Sequence, residues 1–121
     1  MDTKKIQWIL RIGIFGEFLG HGALAIGGKE AWIGWAEQLI GLSTETAATF
    51  IMVVGIVDVL IAFSVLIKPM RPVLLWAAIW GLWTAVLRPI VGESILDFVE
   101  RSANWAAPLA LFYLLKKNKP D

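Results

Sequence analysis

Cysteine is absent from this chain, so it can neither exchange disulfides nor hold an iron–sulfur cluster through thiolates. Histidine occurs once, which excludes a bis-histidine haem within one copy and leaves a poor ligand set for a metal centre. An excess of either charge is also missing, with eleven Lys and Arg against ten Asp and Glu and a formal net charge of +1. That balance implies no nucleic acid or other polyanion as a partner.

What the chain has instead is 58% apolar residues and a mean hydropathy of +0.70. A soluble domain runs at about 45–50% apolar. The excess falls in blocks about twenty residues long, the length needed to cross a bilayer as a helix. Within its 121 residues there is room for four such blocks, at 6–26, 47–67, 73–91 and 95–115, and little else. The expected architecture is therefore one all-α membrane domain, a four-transmembrane-helix bundle with a short interfacial helix between helices 1 and 2. The beginning resembles a secretory signal in Lys4-Lys5, an apolar run and Ala23-Leu24-Ala25. Arg11, Glu17 and His21 would interrupt the apolar core of such a signal, so an uncleaved first span is expected.

Glu17-Phe18-Leu19-Gly20-His21 is the stretch around which the rest is organised. An acid and the only histidine lie four apart, on one side of a helix, at a depth where ionisable groups are costly unless answered. Gly13, Gly16 and Gly20 fall near the same side, a spacing that predicts close approach of another helix. Arg11 lies near the lysine-rich end, where snorkelling to the headgroups gives it an anchoring role.

After Gly27-Gly28, residues 30–42 are too short and mixed to span. Trp32, Trp35, Ala36 and Leu39 gather on one side, the pattern of a helix lying in the interface with tryptophans at headgroup level. The same pattern could also form a lid over the bundle. Ser43 or Thr44 offers an N-cap for the second span, whose only charge is Asp58. Pro72 is placed to open the third. There Trp76, Trp80 and Trp83 form one face, either a lipid-facing or packing stripe or a wall on which a flat ring such as a quinone stacks. In the last block Asp97, Glu100, Arg101 and Asn104 make one continuous polar face, so a spanning helix with that face turned inward is expected.

Lys4, Lys5, Lys68, Arg71, Lys116, Lys117 and Lys119 all fall at one side of a four-helix drawing, which predicts that both termini are cytoplasmic. Counting depth at about 1.5 Å per residue puts Arg88, His21, Glu100, Arg101, Glu17, Asn104 and Asp58 within the outer half of the bundle. The three acids nearly balance the two arginines, and this set is the candidate ligand site. The simpler reading, ion pairs that only hold helices in register, is preferred for Asp97 with Arg101 alone.

Arg11-Ile12-Gly13 and Phe18-Leu19-Gly20-His21-Gly22, Gly55-Ile56-Val57-Asp58, Trp80 to Thr84 with Arg88-Pro89, and Glu100 to Asn104 with Pro108 together resemble the DoxX-like family of small four-helix membrane proteins. The resemblance implies a bacterial or archaeal inner-membrane protein with a quinone-linked or redox-accessory role. It also implies a bound quinone, a redox partner subunit or a homo-oligomer. The rival readings are a small-molecule or proton-coupled transporter using the same acids, and a purely structural assembly subunit. Few polar groups, among them Gly55, Ser64, Gly81 and Arg11, are available for a route through the inner half, which counts against a carrier.

Overall fold

The computed structural model describes residues 3–115, and the basic tail with Lys116, Lys117 and Lys119 lies outside the described residues. All regular structure among the described residues is helical: α1 (Thr3–Ile26), α2 (Glu30–Ile40), α3 (Thr44–Ile67), α4 (Arg71–Ile90), α5 (Ile95–Val99) and α6 (Ser102–Leu114). Three of them, α1, α3 and α4, are long and apolar enough to cross a membrane. Their outward faces carry large apolar side chains such as Ile9, Leu60 and Ile79, each more than half exposed, which suits hydrocarbon rather than water as the surrounding medium.

The helix ends have local causes. Ser43 caps α3 by accepting the Thr46 N–H at 3.3 Å, and Pro72 sits in the first turn of α4, where its missing N–H costs nothing. Gly41 ends α2 at φ 75°, a left-handed conformation open to glycine at little cost.

Residues 95–115 form two helices, not the single one expected. The chain breaks at Glu100-Arg101, where the backbone N–H groups of Arg101 and Asn104 each reach back only three residues, to Phe98 and Arg101. The Arg101 guanidinium takes the Asp97 carbonyl at 3.0 Å, the acceptor that a continuous helix would give to the Arg101 amide. Alone, the 13 residues of α6 reach only about 20 Å, short of a hydrocarbon core of about 30 Å.

The helices associate as two antiparallel pairs, α1 with α3 and α4 with α6. The pairs are joined mainly through α1 and α6, while α3 and α4 meet only thinly. An arginine locks each pair at the same end of the molecule. Arg11 of α1 donates to the carbonyls of Val65 (3.2 Å), Leu66 and Ile67 (3.1 Å) at the end of α3, and lies 3.7 Å over the Trp8 ring. Arg71 of α4 donates to the carbonyls of Phe112 (2.7 Å) and Leu115 at the end of α6. Arg11 was expected to reach for lipid headgroups. It serves instead as a C-cap for a neighbouring helix, because three carbonyls without intrahelical donors are nearer.

Close approach of α1 and α3 occurs at Gly22 and Gly55. A Cβ on Gly22 would meet the Gly55 carbonyl oxygen at 2.7 Å, and one on Gly55 the Gly22 oxygen at 2.7 Å. Gly13, Gly16 and Gly20, the expected contact face, have open space instead. In the other pair Gly81 admits the Asn104 carbonyl. Pro108 four residues on has no N–H to give that oxygen, so it is left to face α4.

Ile14, Phe18, Ile61, Val65, Leu74 and Leu111 form an apolar core at the arginine-locked end. At the opposite end a smaller cluster of Ala25, Ala36, Ala47 and Ile51 holds α2 against α1 and α3.

Candidate functional site

Because α3 and α4 barely touch and α2 folds across the end of the bundle, a space of about 210 Å³ is left among α1, α2, α3 and α4. Its lining is mostly apolar and aromatic, including Trp32 and Trp35 of α2, Phe50 of α3, and Trp80 and Trp83 of α4. His21 and Arg88 supply the ionisable groups. A second cavity of about 210 Å³ adjoins the first between α3 and α4, with Phe50, Val54 and Trp80 as shared walls, and reaches Asp58 and Trp76.

The aromatic side of α2 is thus turned onto the bundle and roofs the cavity. Ala36 is its buried point, packed with Ala25, Ala47 and Ile51. His21 meets the Trp32 ring edge to face at 5.7 Å. Trp76 and Trp80 stack on each other with centroids 5.8 Å apart and planes at 17°. Trp80 is half-buried and walls both cavities, whereas Trp76 and Trp83 are exposed rims.

Arg88 is 6% exposed, and none of its nitrogens donates to a described residue. Its Nε is buried without a partner. Its guanidinium lies 4.6 Å over the Trp35 ring. Desolvating a cation costs several kcal/mol, roughly, even after relaxation, while a desolvated cation–π contact returns about 2 kcal/mol. A permanently charged group is therefore left largely unanswered beside an open volume. Its charged neighbours are Arg101, Glu93, Asp97 and Glu100, but the only salt bridge among the described residues joins Arg101 to Glu100, at 3.0 Å and largely exposed. The Trp32 Nε1, on the same cavity, is also buried and unpartnered.

The seven candidate residues are divided by the fold. His21 and Arg88 line the first cavity and Asp58 the second. Glu17 lines neither; it faces the field of Asp58 across the α1–α3 pair, and neither carboxylate accepts a hydrogen bond from a described residue. Asp58 is 5% exposed. Glu100 is exposed and Arg101 half-buried at the break between α5 and α6, and Asn104 is half-buried against Gly81. Arg101 engages the Asp97 backbone and the Glu100 carboxylate, not the Asp97 carboxylate. No metal-binding group of three or more His, Asp or Glu occurs among the described residues. Phe50, Ile51, Val54 and Leu87 line the cavity without having been singled out in the sequence, where they look like ordinary span residues. The Trp32 and Trp35 face was visible as an amphipathic stripe, but was assigned to the membrane surface.

No family model, curated protein or solved structure matches the chain.

Proposed function

We propose that this chain is a DoxX-like multi-pass membrane protein that binds an amphiphilic ligand within the membrane, in the cavity beneath α2. The single observation that carries this reading is Arg88, buried and without a hydrogen-bond partner where it borders that cavity. A head that accepts hydrogen bonds would satisfy Arg88 and the Trp32 indole together, and the aromatic lining would take the apolar body. The resemblance implies a quinone as that head and a redox-accessory role beside a partner subunit, in which electrons come from the partner and not from this cysteine-free chain. The apolar core that fills the arginine-locked end favours a ligand held in place over a carrier with a route through the bundle.

The topology that goes with this reading has four crossings, with α5 and α6 together forming the fourth and α2 at the outer surface of a bacterial or archaeal inner membrane. The two termini are then cytoplasmic. Reporter fusions after Lys68 and Lys119 should read cytoplasmic and one after Glu37 periplasmic; a periplasmic reading at Lys119 defeats the arrangement.

The ligand itself is tested by purification in mild detergent and mass spectrometry of what remains bound. The expected result is one stoichiometric amphiphile on the native protein and none on a folded Arg88→Lys variant, which keeps the charge but loses the planar fork. Equal retention by both proteins would count against Arg88 as the binding group.

A further inference from the structure

We infer that the ligand of this cavity is a single-chain amphiphile with an anionic carboxylate head, entering sideways from the bilayer between α3 and α4. The inference rests on the pocket of the preceding reading, not on its quinone. A neutral acceptor fills a hydrogen bond, but it does not balance the charge of Arg88. That arginine is 6% exposed, has an unpartnered Nε and has no carboxylate in a salt bridge with it among the described residues. The charged groups acting on it are Arg101 and the more distant Glu93, Asp97 and Glu100. The charges acting on His21 beside it are those of Arg88, Arg101 and Lys29. A planar carboxylate matches the guanidinium fork with two parallel hydrogen bonds, and the second unanswered donor, Trp32 Nε1, belongs to the same cavity.

The space for the tail is also present. The second cavity adjoins the first, with Phe50, Val54 and Trp80 as shared walls, and reaches Asp58 and Trp76. Arg88 to Trp80 is about 12 Å and Arg88 to Trp76 about 18 Å by helical rise, room for one alkyl chain lying along α4. Each cavity holds only about 210 Å³, which favours one chain over the two of a phospholipid. The α3–α4 contact is thin, and exposed Val53, Val57 and Trp76 border it, so a tail can reach the cavity from the hydrocarbon side.

The test is tryptophan quenching of the full-length protein in neutral-lipid nanodiscs. The probes are a fatty acid brominated at mid-chain, its methyl ester, a brominated phosphatidylglycerol and a short-chain quinone. The acid should quench saturably, with the ester about 10- to 100-fold weaker, the range expected when a hydrogen-bonded charge is removed. In Arg88→Gln the acid should fall to the level of the ester, and in Trp80→Phe the quenching amplitude should drop. Equal affinity of acid and ester for the native protein would overturn the anionic head while leaving a ligand pocket in place, and that comparison needs no variant. Phosphatidylglycerol quenching as strongly as the acid would overturn the single chain. A quinone that displaces the acid at equal concentration would overturn the selection for charge. Absence of saturable quenching by every probe would remove the pocket and the inference together.

Discussion

Replacing Arg88 by leucine should raise the melting temperature of the ligand-free protein and abolish ligand binding. The direction follows from the partners this arginine lacks. Had one of the acids at similar depth been paired with it, removing the cation would have stranded a buried acid and cost about 3–5 kcal/mol. No such pair exists among the described residues, and Asp58 lies at the far cavity instead. Leucine then exchanges an unanswered charge, whose desolvation costs several kcal/mol, roughly, for an apolar side chain in an apolar setting. The lost cation–π contact with Trp35 takes back about 2 kcal/mol of that. A protein more stable without the residue keeps it for another reason, and the proposed ligand supplies one. Thermal unfolding of delipidated native and Arg88→Leu protein, each followed with and without added ligand, separates the cases. A variant that melts lower in the absence of ligand would mean that Arg88 holds the bundle together.

Much of this arrangement was legible in the sequence, and the failures share a physical cause. Segment ends were readable because they are local: Ser43 caps its own helix, and Pro72 opens α4. The three membrane-length helices were readable because an apolar block of that length has few alternatives. Partners were harder, since helical spacing defines a face but not what covers it. Gly13, Gly16 and Gly20 made as good a contact face on paper as Gly22, yet only Gly22 meets a helix, because Gly55 faces it. The stripe of Trp32 and Trp35 would look the same against lipid headgroups or against a bundle, and Ala36 decided for the bundle by packing on Ala25 and Ala47. Depth placed Arg88 and the acids in one layer without giving their directions around each axis. The break at Arg101 was hidden because Asp97, Glu100, Arg101 and Asn104 share one face in an unbroken helix too.

The arginine lock between α1 and α3 should carry a large part of the stability of that pair. Arg11 donates to three carbonyls at the end of α3, those of Val65, Leu66 and Ile67, at the negative end of the helix dipole. The guanidinium serves all three at once because its donors are set in a fixed fan, and Trp8 beneath it holds the plane. Hydrogen bonds from a charged donor contribute about 1.5–3 kcal/mol net, but Ile67 at the rim can turn to water. Arg11→Leu is therefore expected to cost about 2–4 kcal/mol, less than the sum over three bonds. Arg11→Lys should recover less than half, because an ammonium cannot reach three carbonyls in one plane. Arg71→Leu should act in the same way on α4 and α6, where two carbonyls are served and the Phe112 face lies 4.0 Å away. The two locks sit on different helix pairs and should be close to additive. Denaturant unfolding of the single and double variants in one detergent measures this directly. Coupling of more than about 0.5 kcal/mol would tie the two helix pairs into one cooperative unit, and an Arg11→Leu protein as stable as the native one would reduce the lock to a surface contact.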